Sequence, residues 1–269
     1  IVGAAVDVTR YDAGGTTGTY EYMIAVGAPD HFTSGLGTTG LVVVHFRELM
    51  TGSWNGDALR GASTVDGDRF GAAVSIDGTF HPYLAVGSPN ANAYAGTAHL
   101  FDFTVGWGEL QELQPAAGVA TDAAFGASIS IVGDGSTAEV LVGAPGDDGA
   151  ASALGDGAAY LFEKTASGID EGDTFFASGG GAGDNFGSAV ALDNRTWDLA
   201  MIGAPNADVQ GSDSGAAYPW SRRRMNWIAG RKIDDVDGNG IVDTPDDVGL
   251  EGWRIYLDEN GNDAFDTGE

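Results

Sequence analysis

Cysteine is missing from all 269 residues, which excludes disulfide cross-links and thiolate metal sites. Basic side chains are scarce: 12 Lys and Arg stand against 39 Asp and Glu, a formal charge of −27. A surface of that sign repels phosphate backbones and attracts cations, so no nucleic-acid partner is expected. No run approaches the roughly 18 consecutive apolar residues of a membrane span, and no span is expected here. The four histidines, His31, His45, His81 and His99, are scattered, and His45 and His99 fall at nearby positions of corresponding β-type runs. That placement suits packing or exposure better than metal ligation. Signatures of enzymes are also missing: no P-loop, G-x-S-x-G elbow or H-E-x-x-H occurs. Gly35-Leu36-Gly37-Thr38-Thr39-Gly40 fits G-x-G-x-x-G, but it precedes a strand-like run where a phosphate cradle needs a helix, so it reads as a turn. Carboxylate pairs are plentiful, but none is marked out by spacing or setting as a glycosidase pair. The expectation is a protein that is not an enzyme.

Glycine, by contrast, is abundant: 44 residues with no collagen-like period, which implies many turns between short strands. One tetrapeptide recurs as Val26-Gly27-Ala28-Pro29, Val86-Gly87-Ser88-Pro89, Val142-Gly143-Ala144-Pro145 and Ile202-Gly203-Ala204-Pro205, at intervals of 60, 56 and 60 residues by subtraction. Each copy ends an apolar run. Upstream of three of them stand Phe70-Gly71, Phe125-Gly126 and Phe186-Gly187, each followed by small residues and a short alternating run; Val2-Gly3 opens the first copy in the same way. Downstream come Gly40-Leu41-Val42-Val43, Gly96-Thr97-Ala98-His99, Gly157-Ala158-Ala159-Tyr160 and Gly215-Ala216-Ala217-Tyr218. Looser apolar stretches follow at Ala58-Leu59, Leu110 to Leu113 and Phe175-Phe176. Each unit thus holds four short β-type runs and no sustained helical period. Repeated four-stranded units of this length are the signature of propeller blades.

These motifs resemble the FG-GAP repeat of integrin-α-like propellers and bacterial surface proteins, over about residues 1–220. The resemblance implies an all-β fold: a β-propeller-like array of about four four-stranded blades, a partial propeller whose remaining blades or domains belong to a longer chain. Pro219 interrupts the third run of the last copy, where it is expected to weaken or end the strand. The acidic stretches Asp147-Asp148 and Asn206 to Asp213 lack metal-ligand spacing and read as solvated turns. The chain begins at Ile1 without Met or a leader pattern, and it reads as a fragment or a mature segment.

Residues 221–232 form a basic linker, with five of the twelve basic residues between 222 and 232. Beyond it, Asp235, Asp237, Asn239, Asp243 and Asp246 place side-chain oxygens at positions 1, 3, 5, 9 and 12 of a loop, with Gly240 at position 6 and the Ile241 carbonyl as a further ligand. Asp258, Asn260, Asn262, Asp266 and Glu269 repeat the spacing, with the Ala264 carbonyl in the place of Ile241 and Asp263 where the turn glycine is expected. Such spacing wraps six to eight oxygens round one point, the shell Ca2+ prefers. The strand-like run between the loops makes residues 233–269 similar to the start of an SdrD B-type repeat, which implies an incomplete β-sandwich-type calcium module. Trp197, Trp220, Trp227 and Trp253 suit packing better than sugar stacking. The whole implies a calcium-binding adhesion, recognition and scaffold module, extracellular or on a cell surface, for a protein or glycan ligand. The alternative is a non-catalytic accessory part of a secreted hydrolase.

Overall fold

Each repeated unit folds because its alternating apolar runs are short and are cut by residues that turn the chain. In the computed structural model, residues 3–10, 20–48, 51–78, 81–104, 106–147, 156–177, 180–193, 199–208, 214–221, 233–234 and 248–249 are described. The chain divides into two compact units, Ile1–Arg223 and Arg224–Glu269. In the first, four antiparallel sheets follow in chain order. Blade 1 is β1 (Ala5–Arg10), β2 (Tyr20–Ala28), β3 (Leu41–Glu48) and β4 (Trp54–Leu59). Blade 2 is β5 (Ala73–Asp77), β6 (Tyr83–Ser88), β7 (Thr97–Phe103) and β8 (Trp107–Leu113). Blade 3 is β9 (Ser128–Asp134), β10 (Thr137–Ala144), β11 (Ala158–Thr165) and β12 (Gly168–Phe175). Blade 4 has three strands among the described residues: β13 (Ala189–Asp193), β14 (Leu199–Ala204) and β15 (Ala216–Ser221).

The strand order in every sheet is the sequence order, so each blade is a meander. Pro219 does not end its strand: it pairs with Met201, and β15 runs on to Ser221. The proline is tolerated because β15 is an edge among the described residues, the position where a missing donor costs least. The fourth strands of blades 1–3 are mostly exposed and carry Asp57, Glu109, Glu112, Asp170, Glu171 and Asp173, charges that discourage pairing with another chain's edge.

The cores lie between blades. Met23, Ala25, Val42 and Val44 of blade 1 pack with Phe70, Val74, Ile76, Leu84 and Val86 of blade 2. Tyr83, Ala85, Ala98 and Leu100 of blade 2 pack with Phe125, Ile131, Val140 and Val142 of blade 3. Leu141, Ala159 and Leu161 of blade 3 pack with Phe186, Ala200 and Ile202 of blade 4. Each blade therefore has a leading face of large residues and a trailing face with smaller ones among them.

The repeated motifs build these seams. Phe70, Phe125 and Phe186 are fully buried. Each forms a parallel bridge to the glycine that opens the third strand of the blade before: Gly40 with Phe70, Gly96 with Phe125, Gly157 with Phe186. The next residues, Gly71, Gly126 and Gly187, sit at φ of 89°, 89° and 90°, a region closed to most side chains. They lie against the glycine of the preceding tetrapeptide so closely that a Cβ on Gly27, Gly87 or Gly143 would stand 2.0 Å from the facing carbonyl oxygen.

A hydrogen-bond ladder runs through the first strands. Asp7 Oδ2 accepts from Ile76 N at 2.9 Å, Ser75 Oγ from Ile131 N at 3.2 Å, and Ser130 Oγ from Leu192 N at 3.0 Å. In blades 1–3 the same position, four residues after the seam glycine, supplies the acceptor, and the next blade donates from the residue after its own.

The second unit is described only where β16 (Ile233–Asp234) pairs antiparallel with β17 (Val248–Gly249). Those strands bracket residues 235–247.

Gly87→Ala should lower stability by about 1–3 kcal/mol, the usual range for overpacking a tight interior. Gly106→Ala, where a Cβ meets nothing within 4 Å, should stay within about 0.5 kcal/mol of the parent. Urea unfolding of the two variants side by side checks this, and equal midpoints would refute the seam.

Candidate functional site

Antiparallel order fixes where the variable loops go. In each blade the link from second to third strand, and the link from the fourth strand to the next blade, emerge at the same end of the sheets. The described residues of the links 29–40, 60–72, 89–96, 114–127, 145–157, 176–188 and 205–215 therefore lie along one rim. Bonds between neighbouring loops tie it together. Arg69 Nε donates to Asp30 Oδ1 at 3.2 Å, and Thr38 N to Asp66 Oδ1 at 2.7 Å. Asn90 N donates to the Asp68 carbonyl at 3.3 Å, Gly146 N to that of Ala123 at 3.0 Å and Asn206 N to that of Asp184 at 3.2 Å. Asp68 and Asp184 close the turns before their Phe-Gly pairs by accepting from Val65 N at 2.6 Å and Gly181 N at 2.9 Å.

Four of the exposed large apolar side chains stand on this rim: Phe32 (66%), Leu36 (55%), Val65 (61%) and Tyr94 (57%). All four belong to loops of blade 1, blade 2 or the link between them. Tyr94 is held out by an unusual turn. Asn92, Ala93 and Tyr94 take φ of 52°, 58° and 68°, three successive left-handed residues none of which is glycine. Such a conformation costs about 1–2 kcal/mol per residue. Bonds from Tyr94 N to the Asn90 carbonyl (3.2 Å), Gly96 N to that of Ala91 (2.9 Å) and Ala124 N to that of Tyr94 (2.9 Å) hold it in place.

A polar cluster in blade 2 centres on one buried histidine. His99 is fully buried, with Nδ1 2.8 Å from Glu109 Oε1, Nε2 3.3 Å from Thr97 Oγ1, and its ring edge-on to Phe70 at 5.2 Å. Glu109 also accepts from Ala62 N at 2.7 Å, and Glu112 accepts from the Ser63 hydroxyl. The link 60–72 is thus fastened to the outer strand of blade 2. Burial would raise the Glu109 carboxyl, but the His99 and Ala62 hydrogen bonds and the His99 charge outweigh it, and the net shift is downward. Asp68 shifts upward: burial raises it, and the Val65 N–H offsets only part of the effect.

Asp147 is a correction to the expectation of a solvated turn. It is buried, accepts from the Tyr160 hydroxyl, and accepts from Ala120 N at 3.3 Å. The phenol's pKa is driven upward, first by burial and then by the Asp147 hydrogen bond and charge. Trp220 packs on Phe175 with ring centroids 5.4 Å apart, as the packing reading expected.

The proposed calcium ligands Asp235, Asp237, Asn239, Ile241, Asp243, Asp246, Asp258, Asn260, Asn262, Ala264, Asp266 and Glu269 all lie outside the described residues. Among the described residues no group of three or more His, Asp or Glu side chains is placed to hold a metal ion. The rim patch and the His99–Glu109 tie were not singled out from sequence. Phe32, Leu36 and Tyr94 in loops otherwise rich in Gly, Asn, Thr and Ala were the available signal.

The geometry defines a propeller-like blade array with a structured loop rim. Comparison with known families agrees: residues 107–162 and 170–218 match the FG-GAP repeat. Each matched segment runs from the outer strand of one blade through the third strand of the next, so the family's unit contains a whole seam crossing. No curated protein matches the chain.

Because its pKa is depressed in the fold, Glu109 contributes stability that is present above its ordinary pKa and lost as pH falls through the lowered value. Glu109→Gln should cost about 1–3 kcal/mol at neutral pH, and the gap to the parent should narrow in acid. Denaturant melts from pH 7 downward test it; a gap that widens in acid would reverse the assignment.

Proposed function

We propose that this chain is a recognition and scaffold module that binds an extracellular protein or glycan through the loop rim, with Phe32, Leu36, Val65 and Tyr94 as its apolar anchor. The carrying observation is the concentration of exposed large apolar side chains on interlocked loops, one of them presented by a strained turn. Strain held in place by surrounding bonds marks functional positions more often than neutral ones. Recognition surfaces combine rigid aromatic anchors with adaptable polar loops, and Phe32 and Tyr94 among glycines, asparagines and threonines match that composition. The FG-GAP repeats at 107–162 and 170–218 support the same reading, because repeats of this family occur in extracellular and cell-surface recognition proteins.

Calcium is the proposed stiffener of the second unit. Two loops with oxygens at positions 1, 3, 5, 9 and 12 supply the hard ligands Ca2+ takes, and neutralising their clustered carboxylates would fix residues 235–269. The SdrD B-type likeness of residues 233–269 supports the same role. The rim reading does not depend on it.

Two measurements test these proposals. The full chain screened against immobilised extracellular-matrix proteins and glycans should find a ligand. Phe32→Ser or Tyr94→Ser should then weaken it at least tenfold with the melting temperature unchanged, and undiminished binding by both variants would remove the rim from consideration. For calcium, EDTA should lower the melting of the second unit in the intact chain and leave the blades nearly unaffected; superimposable melts with and without the ion would refute the twelve assigned ligands.

A further inference from the structure

Each of the four exposed apolar side chains on the rim has a carboxylate close by. Asp30, about half exposed, stands two residues before Phe32. Asp66 is exposed and follows Val65 directly, and it accepts from Thr38 N, two residues after Leu36. Asp122 is exposed and lies two residues before Ala124, whose N–H donates to the Tyr94 carbonyl at 2.9 Å. The Thr38–Asp66 bond holds link 29–40 beside link 60–72, and the bond from Asn90 N to the Asp68 carbonyl holds link 60–72 beside link 89–96. Links 29–40, 60–72, 89–96 and 114–127 carry only two Lys or Arg residues, and both are engaged. Arg69 pairs with Asp30, and Arg60 donates from Nε to the Gly40 carbonyl at 3.4 Å and from Nη2 to Thr33 Oγ1 at 2.6 Å. The surface therefore presents apolar knobs set among acceptors, while its cations serve its own loops.

That composition selects a partner. Covering Val65 or Tyr94 takes the neighbouring carboxylate out of water, and a carboxylate buried without a cation is heavily penalised. A partner that seals the apolar anchor must therefore bring positive charge to the same places. An anionic surface, such as a sulfated glycan, a lipid headgroup or a nucleic acid, would meet repulsion from these carboxylates and from the formal charge of −27 behind them. A neutral sugar could hydrogen-bond the carboxylates and stack on Phe32 and Tyr94. Leu36 and Val65, however, have no ring face to offer it, so half of the anchor would gain nothing. Aliphatic and aromatic knobs together fit the apolar side chains of a protein.

We propose that the partner of the rim is a basic protein surface, in which Lys or Arg side chains flank an apolar patch. The proposal rests on the rim as the binding surface and adds the chemical class of its ligand. The negative field draws the partner in, Asp66 and Asp122 meet its cations, and Phe32, Leu36, Val65 and Tyr94 bury against its apolar groups. Charge then acts mainly on the rate of association, and the apolar anchor mainly on the rate of release.

The probes are immobilised peptides alternating lysine with leucine, lysine with serine and glutamate with leucine, together with heparin and an array of neutral oligosaccharides. The full chain should bind the lysine-leucine peptide, bind the lysine-serine peptide at least tenfold more weakly, and ignore the others. Its association rate should fall at least tenfold between about 0.01 M and about 1 M salt, as the Debye length shortens from about 30 Å to about 3 Å. Asp66→Asn combined with Asp122→Asn should weaken binding at least fivefold. Asparagine keeps an oxygen for Thr38 N and tolerates the φ of 68° at position 122, so the loops should hold their shape and the melting temperature should stay that of the parent. Asp170→Asn combined with Asp173→Asn removes the same two charges from the exposed outer strand β12 and should leave binding within twofold. No binding of the lysine-leucine peptide, equal losses in the two double variants, preference for the acidic peptide or heparin, or association indifferent to salt would each overturn the proposal. A neutral sugar that binds and is lost with Tyr94→Ser would overturn the basic partner and leave the rim as the binding surface. Lysine-leucine binding untouched by both Phe32→Ser and Tyr94→Ser would remove the rim itself.

Discussion

The architecture depends on backbone meeting backbone at the seams. Where Gly27 faces Gly71, Gly87 faces Gly126 and Gly143 faces Gly187, there is no room for a β-carbon on the first member of each pair. That proximity lets the neighbouring sheets approach closely enough for Phe70, Phe125 and Phe186 to be fully enclosed. It also aligns the first strands so that Asp7, Ser75 and Ser130 reach the next blade's amides. Apolar burial supplies most of the driving force, but the glycines set the distance at which it can operate, and the serine and aspartate rungs set the register.

This organisation explains why the rim can vary. The elements that hold blades together lie on the faces of the sheets and at the loop ends that adjoin the strands, and the middle of each loop carries only short cross-ties such as Asp30 with Arg69 and Thr38 with Asp66. A loop can therefore lengthen, or take on a Phe32 or a Tyr94, without touching a seam. The His99–Glu109 tie is the exception. It reaches from a buried strand to the link between blades 1 and 2, and so ties that link to the core.

Much of this was legible in the sequence, for physical reasons. Glycine, proline and phenylalanine at fixed spacing mark the turns and seams, and they located the first three strands of each blade; the outer strand of blade 3 runs Gly168–Phe175, ahead of the Phe175-Phe176 stretch read for it. The all-β, blade-like architecture followed from them. What periodicity does not encode is the partner of a polar side chain. Asp147 looked like one more acidic turn residue until the Tyr160 hydroxyl came to meet it from another strand. Pro219 looked like a strand breaker because sequence alone did not show that β15 is an edge among the described residues. The rim patch was hidden for a related reason: Phe32, Val65 and Tyr94 are far apart along the chain, and only the antiparallel order of the sheets sends their loops to the same end.

The placement of the cores has a consequence for biogenesis. With its apolar interior shared between successive sheets, no single blade encloses a core of its own. During synthesis the trailing face of each blade must wait for its successor, some 56 to 60 residues later by the motif intervals, to emerge from the ribosome. The array is then expected to mature vectorially, each new meander nucleating on a template already laid down. Until the next sheet arrives, the growing end presents a bare apolar surface of the kind that molecular chaperones recognise.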